Sequence, residues 1–363
     1  VLHALGVRPQ GRLVRGEGGY LLQGDRLQVL PRNGWTALST GALGVRGKLL
    51  FGRQFLSLGE DKAQRLRGRS VRQWLDAEVP DLRARALLET LIRLTTYAHA
   101  PDLLSAEVAV RQLALAARHS VMYVDGGWQT LVDAVLRSAQ DAGVQIETGV
   151  AVARIEHDPQ VRAVVLRDGR RLAARAVIAA VEPRALASLL PEDAHARRWA
   201  DSSVPLRAAC LDLGVRGLPH PERVNVLSTD APLYFANHSV YAALAPEGAC
   251  TLHLARYLGP GEDGRQAEVE LRDFLERIQP GVYQRAEVKR FMPSLTVHND
   301  VPGRAQVDRL HPEIPGLHLV GDCVERSAIL LDGVLESARS AAARLDGRDV
   351  ASPAGTSEAV RAA

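Results

Sequence analysis

What most limits the fold of this chain is that strand-like and helix-like stretches alternate along it instead of segregating. Residues 1–60 are glycine-rich and carry short strand-like runs such as 20–31, where the central Gly24-Asp25 predicts a hairpin turn. From Ser70 the periodicity becomes helical: Val71, Trp74, Leu75 and Val79 fall on one face, Ser70 suits an N-cap, and Pro80 closes the segment. Amphipathic stretches at 83–99 and 105–119 continue it. A Gly126-Gly127 turn then precedes a helix to about Ala142, ended by Gly143. Strands are expected at 144–149, 150–158 and 161–180, with 176–180 buried, and then at 206–215, 239–245, 249–258 and 281–291. A helix is expected over 265–278. Finally a strand in 315–323 feeds a turn, and a helix follows over 332–345. At 363 residues the chain is too long for one ordinary core, so this order implies two domains, each assembled from separated stretches.

Composition narrows the class. Hydrophobic residues make up 46% and charged residues 24%, which fits a packed globular protein. Basic and acidic residues, 45 against 42, nearly cancel and form no stripe, so nucleic acid is not an expected partner. A pI near 8.9 gives mild attraction to an anionic membrane surface, hence an expectation of peripheral membrane contact. Cys210, Cys250 and Cys323 form no C-x-x-C pair and no disulfide framework, and no apolar run reaches membrane-spanning length. With no signal-peptide pattern at Val1, a cytoplasmic location is expected. The eleven histidines contain no H-x-x-x-H pair, so no metal site is expected, and Trp35, Trp74, Trp128 and Trp199 are read as core residues.

Two glycine patterns bear on chemistry. The only G-x-G-x-x-G, Gly259 to Gly264, lies between a strand and a helix as a dinucleotide loop would, but Glu262 and Asp263 would face a pyrophosphate and Pro260 removes an N–H. It is read as an ordinary turn. The second pattern is a strand ending in Gly321-Asp322, with Asp332-Gly333-Val334 opening a helix soon after. Gly321 lets a ligand approach the backbone, Asp322 is placed to accept from a polyol hydroxyl, and the N–H groups of Gly333 and Val334 would face an electron-rich acceptor.

This second pattern resembles the C-terminal signature of the flavin amine oxidase and phytoene desaturase superfamily, in which a strand ending G-D precedes a D-G-x-x-E-S helix. Gly126-Gly127 with Leu131 resembles the family's glycine turn, Val152 to Ile155 its V-x-x-I strand, and 176–186 its strand and A-x-x-P loop. The resemblance implies an α/β fold with a Rossmann-like FAD-binding domain (118–200 and 292–348), a mixed-sheet plus helical substrate domain (1–117 and 201–291), and a disordered tail at 349–363. It implies cofactor contacts from Val152, Gly321, Asp322, Asp332, Gly333 and Val334. It also offers Lys289, one of three lysines, as a candidate near the flavin. The family's opening strand and glycine loop have no counterpart in the sequence, so an FAD-binding domain incomplete at its N-terminus is expected. The implied activity is FAD-dependent oxidation or isomerisation of an apolar isoprenoid or carotenoid-like molecule, by hydride transfer to flavin N5. The alternatives are a flavin amine oxidase and a non-catalytic remnant unable to hold FAD.

Overall fold

A computed structural model describes residues 1–347 apart from 15–17, 32–35, 37–38, 305–312 and 325–327, so Trp35 and the expected tail lie outside the described residues. Residues 1–148 hold β1 (Gly11–Leu13), β2 (Gly19–Gln23), β3 (Arg26–Val29), α1 (Val45–Leu56), α2 (Glu60–Arg65), α3 (Val71–Glu78), α4 (Leu82–Thr96), α5 (Ala106–Arg118), β4 (Met122–Val124) and α6 (Trp128–Asp141). There follow β5 (Val152–His157), β6 (Val161–Leu166), β7 (Arg171–Ala173), β8 (Val177–Ala179), α7 (Pro183–Leu189) and α8 (Ala194–Ser202). The next stretch holds β9 (Leu206–Arg216), β10 (Asn225–Ser228), β11 (Leu233–Asn237), β12 (Ala249–Tyr257), α9 (Ala267–Ile278), α10 (Val282–Arg285) and β13 (Val288–His298). Last come β14 (Leu317–Leu319) and α11 (Leu330–Leu345).

The chain packs as two compact units, one from 1–148 and 202–309, the other from 149–201 and 310–363. The sequence placed the changeovers near 117, 200 and 291, and the packing moves two of them. Residues 118–148 stay with the first unit because β4 pairs antiparallel with β1, Gly11 opposite Val124, and because the Ser138 hydroxyl on α6 donates to the Leu5 carbonyl at 3.1 Å. Residues 292–298 stay there because β13 pairs with β9 along its length.

The first unit is built on a seven-stranded mixed sheet ordered β13-β9-β12-β11-β10-β2-β3, antiparallel except where β10 runs parallel to β2. Strand alternation sends Leu206, Ala208, Cys210, Leu227, Tyr234, Ala255 and Tyr257 to one face, where they pack with Trp74, Leu75, Leu87, Leu88 and Ile92 of the helical layer α1–α5. The intervening residues, among them Leu211, Leu213, Phe235 and Leu254, face Leu271, Phe274 and Leu275 of α9. Helices α3, α4, α5, α6 and α9 form where the periodicity placed them, whereas α1 over 45–56 lies in the stretch read as strand-like. Ser70 caps α3, accepting from the Gln73 N–H at 3.2 Å, while the Gln73 side chain accepts from the Ser70 N–H at 3.0 Å in a reciprocal capping box.

The second unit holds a three-stranded antiparallel sheet, β5-β6-β7, and a parallel pair, β8 with β14. Its core gathers Ile155, Val161, Ala179, Leu186, Leu190, Trp199 and Ile314.

Three strand expectations fail for one reason: alternation makes a strand only where another strand can pair with it. Residues 144–149 and 239–245 form no strand, and 282–285 form a short helix before β13 begins. In 176–180 only Ala179 is buried, and Ile178 is 48% exposed. Trp74 and Trp199 are core residues as read, but Trp128 is 64% exposed at the start of α6. Among the described residues no helix is long and apolar enough to cross a membrane.

Candidate functional site

In the second unit β8 and β14 run parallel, Leu317 beside Val177 and Leu319 beside Ala179, so both carboxyl ends open on one edge. Parallel α/β sheets bind ligands beyond that edge. The chain leaves β14 through Gly321, whose φ of 141° is unusual for an L side chain and whose missing Cβ would meet nothing within 4 Å. The Gly321 N–H donates to Ser337 Oγ at 3.0 Å, and that hydroxyl donates to the Val334 carbonyl at 2.8 Å. Ser337 thus ties the strand end to α11. Asp322 follows Gly321, half-buried in the same turn.

Helix α11 starts two residues earlier than the sequence suggested. Its N-cap is Ile329, Leu330 takes a left-handed φ of 58°, and the Gly333 N–H donates to the Ile329 carbonyl at 3.3 Å. The outward donors of the first turn therefore belong to Leu330, Leu331 and Asp332, and Gly333 and Val334 stand one turn inside. This corrects the donor role expected of Gly333 and Val334. Asp332 in the first turn complements the positive helix end. Hydrogen bonds join Gly321, Val334 and Ser337, whereas Val152 opens β5 in the other sheet of the unit, paired with Leu166.

The first unit offers two further features. Gly126 and Gly127, with φ of 72° and 79°, turn the chain from β4 into α6, and the turn is pinned by the Gly126 N–H to the Ala243 carbonyl at 2.9 Å and the Ala243 N–H to Asp125 Oδ1 at 2.8 Å. Near that turn a polar aromatic cluster lies on the helix-facing side of the sheet. Asp212 on β9 lies opposite His253 on β12, and His253 Nδ1 hydrogen-bonds the Asp212 carboxylate. The His253 ring stacks on His238 with centroids 5.6 Å apart. The Tyr234 hydroxyl meets His238 Nε2 at 3.3 Å, and Tyr123 lies 4.6 Å from the His238 ring and 5.7 Å from Tyr241.

Electrostatics separate the two histidines. Burial disfavours the charged form of His253, but its hydrogen bonds to Asp212 and Cys210 outweigh that and hold its pKa at about 9. His238, half-buried and beside His253, is pushed down to about 4 by partial desolvation and then by the His253 charge. At neutral pH the cluster therefore carries one imidazolium paired with a carboxylate and one neutral imidazole. Burial raises the Tyr234 phenol, which stays protonated.

Lys289 does not join this group. Its register opposite Leu213 puts it on the α9 face of the sheet, with its ammonium 4.6 Å from the Tyr283 ring, a cation–π contact that accounts for the residue. The Gly259–Gly264 loop is the turn it was read to be. Glu262 accepts from the Gly259 N–H at 2.8 Å, and a Cβ at Gly264 would stand 2.0 Å from the Pro293 carbonyl oxygen. Among the described residues no group of histidines, cysteines and acids could hold a metal ion. Sequence reading missed Asp212, His238 and His253. Alternation in 206–216 and 249–257 put Asp212 and His253 each on the apolar face of its strand, but their pairing needs a register that local pattern does not supply.

A family model for flavin-containing amine oxidoreductases matches residues 17–346. No curated protein matches the chain. Among solved structures, an oxidoreductase from Methanosarcina mazei superposes with a TM-score of 0.72 at 17% identity, covering 93% of this chain and 83% of the other. Wild-type putrescine oxidase bound to putrescine gives 0.68 at 14% identity, over 96% and 84%. Cyclohexylamine oxidase from Brevibacterium oxydans gives 0.60 at 17%, over 95% and 83%. The likeness to these structures is one of fold, and the family match over nearly the whole chain carries the assignment: this protein belongs to the flavin-containing amine oxidoreductases.

Proposed function

We propose that this chain holds FAD at the edge formed by Gly321, Asp322 and the start of α11, and oxidises a small molecule at a carbon bearing an amine nitrogen. The observation that carries the reading is the open backbone at Gly321, beyond the carboxyl ends of β8 and β14 and beside a helix N-terminus. These residues fit the flavin half of the dinucleotide: a glycine without a neighbour at its Cβ position, a carboxylate able to accept from a polyol chain, and three helix-end N–H groups able to stabilise negative charge. FAD would supply acceptance of a hydride. Asp322 orients the ribityl hydroxyls, and Ser337 fixes the turn that presents them. In the first unit the tyrosine faces attract a substrate cation. Because the Asp212–His253 pair is neutral overall, it does not repel one, and neutral His238 is available to exchange a proton.

Anaerobic addition of amines such as putrescine or cyclohexylamine to FAD-loaded protein should bleach the flavin's visible absorption band. A second reading is the dehydrogenation or isomerisation of an apolar isoprenoid or carotenoid-like molecule. Bleaching by a polyene and by none of the amines would select it. Protein that retains no flavin under any loading condition would reject both readings in favour of a non-catalytic binding role.

A further inference from the structure

We propose that the outer side of α1 is a docking surface for an anionic lipid bilayer, on which the helix lies along the membrane interface without crossing it.

A surface helix ordinarily turns apolar residues to the core and polar residues outward. Helix α1 departs from that rule on its outer side. Its inner face is set by Gly47, Phe51 and Gln54, which are buried, and Phe55 packs against the same core. The amide of Gln54 points inward, where its Oε1 accepts from the Lys62 ammonium. With 3.6 residues per turn, Val45, Leu49, Gly52 and Leu56 fall on the opposite side. Val45, Leu49 and Leu56 are 72–91% exposed, and together with Leu82 they are the four most exposed large apolar side chains among the described residues. Leu82 adjoins the same helix, since it follows Asp81, whose carboxylate would stand 3.1 Å from a Cβ at Gly47.

The charge beside this stripe has one sign. Residues 45–56 hold Arg46, Lys48 and Arg53 and no acid. The two arginines flank the stripe on one side and Lys48 on the other. Neither arginine is engaged in an ion pair among the described residues. Asp81, which touches the helix from α4, is occupied in capping that element and accepts from the Ala84 N–H at 2.9 Å. An aliphatic crest with cations on both flanks complements an anionic bilayer, which places negative headgroups at the surface and acyl chains beneath them. Long cationic side chains keep their heads among the headgroups while their stems follow the apolar residues inward. A second copy of the chain supplies no such complement, because two-fold pairing of α1 on itself brings like charges together. Val269 on α9 marks the contrast: it too is exposed, at 63%, but it sits between Glu268 and Glu270, which an anionic surface repels.

Co-sedimentation of the full chain with vesicles of equal parts phosphatidylcholine and phosphatidylglycerol, against phosphatidylcholine alone, tests the surface. Wild type should pellet with the anionic vesicles and less with the neutral ones. Leu49→Ser combined with Leu56→Ser should weaken apparent affinity at least about 10-fold, the loss expected when two leucines no longer leave water. Arg46→Gln combined with Arg53→Gln should weaken binding to the anionic vesicles about 10-fold and leave binding to the neutral ones unchanged. Val269→Ser should bind as wild type does. The substituted side chains are exposed, so melting temperatures should match wild type. If the leucine pair melts early, Leu56→Ser alone decides. No pelleting of wild type with anionic vesicles overturns the proposal. Binding that the leucine substitutions leave unchanged also overturns it, because charge alone would then hold the protein. A wild-type dimer that the leucine pair dissociates, without vesicle binding, overturns it in favour of a second copy on this face.

Discussion

The two units prepare for recognition in opposite ways. The first sets side chains that carry chemistry inside or partly inside, with Asp212, His253 and His238 half-buried and Tyr234 and Arg93 buried against a sheet covered on both faces. The second presents mainly backbone: an open glycine, a helix end and one buried hydroxyl joining them, beside a strand whose Ile178 is exposed. Side-chain sites need a deep core because unpaired polar groups are expensive there and must be fixed by register. Backbone sites need only a turn of the right conformation. Substitutions should therefore act through packing and charge in the first unit and through local conformation in the second.

The largest expected effect tests the packing half of this contrast. Phe235, fully buried on β11, should cost about 3–5 kcal/mol of unfolding free energy on truncation to alanine, while Ile178→Ala in the second unit should cost less than about 1 kcal/mol. Urea denaturation measures both, and equal losses would break the comparison.

Next is Asp212→Asn, expected to remove about 1–2 kcal/mol near neutral pH by unpairing a half-buried imidazolium. His253 has a folded pKa of about 9 against an ordinary 6.5, so its stabilisation is complete below about 6.5 and is lost as pH rises through 9. His238, lowered to about 4, contributes in the opposite sense: its stabilisation is present above about 6.5 and is lost as pH falls through 4. Unfolding free energy of wild type should fall on both sides, and Asp212→Asn should flatten only the alkaline side. NMR titration of His253 would show its pKa falling in the variant, and an unchanged alkaline limb would show that the pair does not couple to folding.

In the second unit Gly321→Ala should cost about 1–2 kcal/mol through backbone strain alone, since a side chain there meets no neighbour. It should also reduce flavin retention after gel filtration by more than the stability loss explains. The smallest effect is Ser337→Ala, which leaves the Gly321 N–H without its acceptor at a cost of about 1 kcal/mol. Hydrogen exchange at Gly321 should then quicken while the first unit is unchanged, and exchange that quickened in both units would contradict their separation.

What could be read from the sequence follows the range of the interaction. The Ser70 cap, the Gly24 hairpin and the Gly321 strand end depend on residues a few positions apart, and each is visible in the string. The Asp212–His253 contact joins strands 41 residues apart and depends on one register among several. Residues 144–149 alternate as a strand should, yet pairing requires a neighbouring edge. The start of α11 moved because apolar Ile329 and Leu330 carry the helix past the expected aspartate boundary. Arg93 is invisible to pattern reading for a simpler reason: among the described residues it is the buried arginine, and nothing local in the string marks burial.

The Ser337 hydroxyl has a mechanical consequence. Because it accepts from the Gly321 turn and donates to α11, a displacement of the turn must drag a helix of 16 residues with it. The turn at the proposed cofactor edge is thereby tied to a long element. The entropy of holding it still is met during folding, before any ligand arrives.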